Sequence, residues 1–162
     1  MNMRCWILAG AILLSACAPA IYPRQAIFNE SEYAPYKGVG TAIVYGEAFL
    51  LTRGGDVKKG AGARIYLSPV TSYSTEFFQR SVLAGQRLED PDPRVVPYVR
   101  TTIADSEGKF EFSDVPAGTF YLYCWIVWEV PIGYGNTMPT GGAAGTQIQL
   151  KSADRTRVIL TR

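Results

Sequence analysis

From residue 39 onward, apolar and polar side chains trade places over short stretches, and the clearest of these repeat every second residue. Phe110 and Phe112 face one way while Lys109 and Glu111 face the other, and Ile148 and Leu150 alternate with Gln147 and Gln149. A period of two sets an apolar row and a polar row on opposite sides of an extended chain, which marks a half-buried β-strand. Seven stretches of β-rich texture follow one another, at residues 40–51, 63–69, 95–103, 109–112, 118–130, 146–150 and 156–161, with turn residues between them. Seven short strands predict an all-β chain folded as a two-sheet sandwich.

One segment between the second and third strands has a different spacing. Ser74 is a capping residue type, Phe77, Phe78, Val82 and Leu83 form a stripe at roughly helical intervals, and Gly85 is a stop. These predict a short helix over 74–85 in an insertion. The charged, proline-punctuated residues 87–94 read as an exposed loop, and residues 133–145, with five glycines and Pro139, as a flexible connection. The strand at 118–130 is unusual because both of its faces are apolar or aromatic. Leu122, Cys124, Ile126 and Trp128 lie on one side and Tyr121, Tyr123, Trp125 and Val127 on the other, so both sides need cover. Two readings of the second side stand together. Either the insertion buries Phe77 and Phe78 against Tyr123 and Trp125, or Tyr121, Tyr123 and Trp125 form an exposed aromatic surface for a sugar or a protein partner.

The beginning of the chain has no strand texture. Arg4 precedes nine mostly apolar residues, Trp6 to Leu14, too few for the roughly 20 that cross a bilayer but suited to a signal-peptide core. Leu14-Ser15-Ala16-Cys17 resembles the lipobox of bacterial lipoproteins. The resemblance implies a signal peptide at 1–16 and acylation of Cys17 as the mature N-terminus. Ala18, where an aspartate would imply inner-membrane retention, points to the outer membrane, on its periplasmic face. Residues 17–38, with Pro19, Pro23 and Pro35 and no periodicity, are expected to be a lipid-anchored tether. Removing 16 residues leaves 146 of the 162 and makes Cys124 the remaining thiol, so no intramolecular disulfide is expected. Its apolar surroundings mark Cys124 as a buried structural residue.

Composition narrows the chemistry further. The chain has no histidine, which removes the usual general base at neutral pH and the commonest metal ligand. With 16 Lys+Arg against 14 Asp+Glu, the net charge of +2 lacks the basic excess of a nucleic-acid binder. The acidic residues Asp105, Glu107, Glu111 and Asp114 are the one set worth weighing for calcium. An EF-hand loop starting at Asp105 would need glutamate where Pro116 stands, so turn chemistry is the better reading and no metal or other cofactor is expected.

The most specific run is residues 102–122. Asp105 to Gly108 make a tight turn, Val115 plugs the core, and Pro116, Ala117 and Gly118 turn the chain again toward Phe120. Asp105, Gly108, Phe110, Val115, Pro116, Ala117, Gly118 and Phe120 resemble the signature of carboxypeptidase regulatory-like domains. Residues 60–69 and 156–160 are similar to the early and closing strands of that family. The resemblance covers residues 39–162 and implies a seven-stranded transthyretin-like (prealbumin-like) sandwich with Ig-like Greek-key topology. The insertion at 71–94 departs from the simplest family pattern. The family's catalytic residues belong to a neighbouring domain, so no catalytic residue is implied. The expected function is that of a non-enzymatic envelope lipoprotein whose sandwich engages a protein partner or a cell-surface glycan. An accessory subunit of a secretion or transport assembly is the alternative. A small transthyretin-fold hydrolase is disfavoured because those enzymes rely on histidine.

Overall fold

The computed structural model describes residues 20–162. The expected signal peptide and Cys17 lie outside the described residues.

The seven predicted strands are present together with three short additional ones. In chain order they are β1 (Ile21–Tyr22), β2 (Ala42–Leu51), β3 (Val57–Lys59), β4 (Arg64–Pro69), β5 (Arg87–Leu88), β6 (Arg100–Ile103), β7 (Lys109–Val115), β8 (Gly118–Gly133), β9 (Asn136–Leu150) and β10 (Arg155–Leu160). In one sheet β2 is central: it pairs in parallel with β10 and antiparallel with β7 and β3. The other sheet is antiparallel throughout in the order β6-β4-β8-β9. The chain is therefore mostly β and sandwich-like.

The core lies between the two sheets. Ala42, Val44, Ala48 and Leu50 of β2 are buried at every second position, and Phe110, Phe112, Val115 and Leu160 join them. From the facing sheet come Ile65, Leu67, Phe120, Leu122, Cys124 and Ile126. The Asp105 turn is built as its residues dictate. Its carboxylate accepts from the Glu107 and Lys109 amides at 2.8 and 2.9 Å, and Gly108 takes φ +79°, a left-handed conformation that glycine adopts without a Cβ clash.

Four expectations are corrected. Residues 133–145 are ordered as the end of β8, a two-residue turn and the first part of β9, because β8 extends to Gly133 and supplies a backbone partner along the hairpin. Tyr134 and Gly135, both at positive φ, close it in the manner of a type I′ turn. The strand expected at 95–103 is shortened to β6, since Pro93 and Pro97 hold Pro93–Tyr98 in a 3₁₀ helix capped by Asp92. The helix of the insertion, α2 (Ser72–Phe77), which follows the single turn α1 (Glu30–Tyr33), starts before Ser74, for Thr71 is its cap. Thr71 Oγ1 accepts from the Ser74 amide at 3.1 Å, and Ser74 Oγ accepts from the Thr71 amide at 2.9 Å. The helix continues as a π-helical stretch, Phe78–Leu83, in which Phe78 and Val82 are buried while Leu83 is 63% exposed, outside the predicted stripe.

The fourth correction concerns residues 20–38, which are packed onto the domain rather than extended as a tether. Phe28 and Tyr33 are buried with Tyr73 and Val95 in a small second core. Tyr33 stacks on Phe28 at 5.1 Å and its hydroxyl accepts from Thr71 Oγ1 at 3.0 Å. Two carboxylates clasp the segment to α2. Glu76 accepts from the Gln25 and Ala26 amides at 2.9 Å, and Glu32 accepts from the Ser72 hydroxyl at 2.8 Å. Prolines gave this stretch the look of a linker, while its three buried or half-buried aromatic anchors lie too far apart to show a period.

Candidate functional site

The outer face of the β6-β4-β8-β9 sheet carries the aromatic side chains that point away from the core. Tyr66 lies between the buried core residues Ile65 and Leu67 and therefore faces outward, opposite Tyr123 in the β4–β8 register. The two rings stack at 5.2 Å with an interplanar angle of 9°. Trp125, two residues along β8, stands edge-on to both, 5.9 Å from Tyr66 and 5.5 Å from Tyr123. Phe77, brought down by α2, closes the cluster at 6.3 Å from Trp125.

The insertion covers part of this face and leaves a cleft beside it. Phe78 stacks on Tyr121 at 4.2 Å, and the Tyr121 hydroxyl shares a 3.0 Å hydrogen bond with Thr75 Oγ1. Of the three residues expected to form an aromatic surface, Tyr121 and Tyr123 are thus each 6% exposed, and Trp125 is 39% exposed. The insertion covers Tyr121 and also Tyr123, against which Phe77 and Phe78 lie at 5.8 and 6.4 Å, while Trp125 is left partly open to solvent at the cleft. The cleft has a volume of about 440 Å³. Its floor is Tyr66, Tyr123 and Trp125; α2 contributes Tyr73 and Phe77, and the region of the 3₁₀ helix contributes Val95, Val96 and Val99. Arg24, from the packed N-terminal segment, completes the wall.

The electrostatics are simple. Arg24 is the charged residue among those lining the cleft. Its guanidinium lies 4.8 Å from the centre of the Tyr73 ring and 5.6 Å from that of Phe77, and its Nε donates to the Glu89 carbonyl at 2.9 Å. Burial pushes the Tyr123 phenol far above its ordinary value, so it stays protonated at any ordinary pH. Cys124 is fully buried on the core side, and burial pushes its thiol up to about 11. The acidic set resolves into local contacts: Asp105 serves the turn, and Glu107 pairs with Lys59. Among the described residues no group of three or more His, Cys, Asp or Glu side chains is placed to hold a metal.

What the arrangement offers is a partly exposed apolar cleft of ligand size, with the Trp125 indole at its floor and a cation at its wall. Pattern reasoning reached Tyr123, Trp125 and Phe77 but not Tyr66, Tyr73 or Arg24. Tyr66 was legible from the alternation in β4 once the partner strand is known. Nothing in the sequence around Arg24 marks it, since the residue reaches the cleft only through long-range packing.

Fold and cleft together define a β-sandwich module with an aromatic-lined cleft. Among solved structures, the chain is similar to a crystal structure from Pseudomonas aeruginosa described as that of a candidate carbohydrate-binding protein. The two share 29% sequence identity at a TM-score of 0.75, over 83% of this chain and 97% of that one. No family model matches the chain, and no curated protein does.

Proposed function

We propose that this protein is a non-catalytic, lipid-anchored envelope protein that binds a glycan in the cleft over Trp125. The observation that carries this reading is the cleft itself. Sugar rings present flat faces of C–H groups, and Trp125, partly exposed and held edge-on by Tyr66 and Tyr123, offers an aromatic surface to an incoming ring. The carbohydrate-binding description of the similar P. aeruginosa protein supports the same reading. A sandwich of the carboxypeptidase regulatory-like, transthyretin-like kind is supported by the turn that Asp105 and Gly108 build and by the burial of Val115 in the core. The lipobox at Leu14 to Cys17 supports acylation of Cys17 and placement at the outer membrane.

Calorimetric titration of the full chain with a panel of oligosaccharides tests the reading. At least one oligosaccharide binds, and Trp125→Ala weakens it by about 2 kcal/mol, roughly thirtyfold, as expected for an aromatic anchor. Binding by none of the panel, or unchanged binding by a folded Trp125→Ala variant, overturns the proposal. Incorporation of labelled palmitate that is lost in Cys17→Ser tests the anchor separately.

A further inference from the structure

We infer that the cleft selects an acidic glycan, one carrying a uronate carboxylate, and that Arg24 is the group that recognises the charge. The inference rests on the glycan-binding reading and narrows its substrate class. Arg24 brings a full positive charge to a cleft whose lining contains no carboxylate. The acidic groups near it are committed elsewhere. Glu89 Oε2 accepts from the backbone amide of Arg24 at 3.3 Å rather than from its guanidinium. Glu76 is held by the Gln25 and Ala26 amides and by Arg80 at 3.0 Å.

The guanidinium is also fixed in place. The Glu89 carbonyl holds Nε, and the rings of Tyr73 and Phe77 lie against the guanidinium, so its orientation is set before any ligand arrives. Within this arrangement Nη1 is buried and has no hydrogen-bond partner among the described residues. Nη1 lies inside the wall, out of reach of the cleft, so what Arg24 offers a ligand is the charge of its guanidinium, which no carboxylate of the lining offsets. A carboxylate seated against Arg24 is the counter-charge that the cleft's lining leaves out, and guanidinium and carboxylate match in plane and charge. On a uronate that group is attached directly to the sugar ring. The ring's C–H face then rests on the aromatic floor while its carboxylate turns to the wall.

The test compares, by calorimetry on the full chain, galacturonate and glucuronate trisaccharides with their methyl esters, which keep the ring and remove the charge. At least one free acid binds about tenfold or more tightly than its ester, and added salt weakens it several-fold. Arg24→Gln abolishes the preference, while Arg24→Lys, which keeps the charge without the planar fork, retains only part of it. Equal binding of acid and ester, or a preference that survives in Arg24→Gln, overturns the assignment while leaving glycan binding intact. Binding of neutral oligosaccharides but of neither acid does the same. Failure of every sugar, acidic or neutral, removes both readings. The acid-against-ester comparison uses the unaltered protein and so does not depend on the variants folding.

Discussion

Replacing Tyr33 by alanine measures how firmly the N-terminal segment belongs to the domain. The side chain is fully buried; its ring stacks on Phe28 at 5.1 Å and lies tilted against Tyr98 at 4.8 Å, and its hydroxyl meets Thr71 Oγ1 at 3.0 Å. Deleting a large buried aromatic ring costs about 3–5 kcal/mol when the surroundings cannot collapse into the space. The hydroxyl alone is worth about 1 kcal/mol, and less here, because Thr71 Oγ1 keeps Ser74 Oγ as a second partner at 3.1 Å. Tyr33→Phe therefore separates the two contributions. In equilibrium urea unfolding with a slope of about 2 kcal/mol/M, Tyr33→Ala lowers the midpoint by roughly 2 M and Tyr33→Phe by less than about 0.5 M. Should both variants unfold within about 0.5 kcal/mol of the unaltered protein, residues 20–38 are not part of the cooperative unit. The cleft would then lose the wall that Arg24 supplies.

Acid should loosen the same segment first. Desolvation raises the Glu76 carboxyl, but the Ala26 and Gln25 amides and Arg80 outweigh it and hold the group below its ordinary value of 4.5; the Ser72 amide and hydroxyl do the same for Glu32. With folded values depressed, the unfolded state binds more protons, so the clasps stabilise fully above pH 4.5 and are lost as pH falls through the depressed values. Hydrogen exchange below pH 4 should rise at the Gln25 and Ala26 amides before the strands respond, and Glu76→Gln should cost roughly 2 kcal/mol at neutral pH. Simultaneous exchange of the whole domain would contradict this order. Cys124, buried and with its thiol pushed up to about 11, should resist a thiol reagent at pH 8 until denaturant is added; rapid labelling of the native protein would show that the core is open. Gly46→Ala should lower the melting temperature by roughly 10 °C, since a Cβ there would sit 1.7 Å from the Val158 carbonyl oxygen of the neighbouring strand and cost about 3 kcal/mol. An unchanged melting temperature would mean that β2 and β10 are not paired as described.

Legibility in the sequence followed the range of the forces involved. The start of β7 was visible because it buries one face, Phe110 and Phe112, so that burial, which depends on the sandwich, leaves a local period of two. The Asp105 turn was visible because its hydrogen bonds stay within four residues. Residues 133–145 were misread because glycine content is the same in a mobile loop and in a strand whose neighbours come close. At Gly145 a Cβ would meet Phe78 and Val82 at 2.8 Å, a constraint set by a helix more than sixty residues earlier. Leu83 fell outside the stripe because the π-helical stretch shifts the register after Phe78, and an α-helical period cannot anticipate that shift.

The cleft is the product of an incomplete cover. A strand that is apolar on both faces obliges the fold to shield the outer one, and α2 with its π-helical extension does so over Tyr121, where Phe78 stacks. Farther along β8, Phe77 leans toward Tyr123 and Trp125 at 5.8 and 6.3 Å without covering the indole. The N-terminal segment and the 3₁₀ helix then close the sides rather than the top. Hydrophobic burial alone would have favoured a larger side chain filling the space above Trp125, and an arginine with an unsatisfied nitrogen beside it adds a further cost. Two costs converging on one cleft, an exposed indole and a guanidinium whose charge no carboxylate of the lining offsets, are what the proposed glycan site would present.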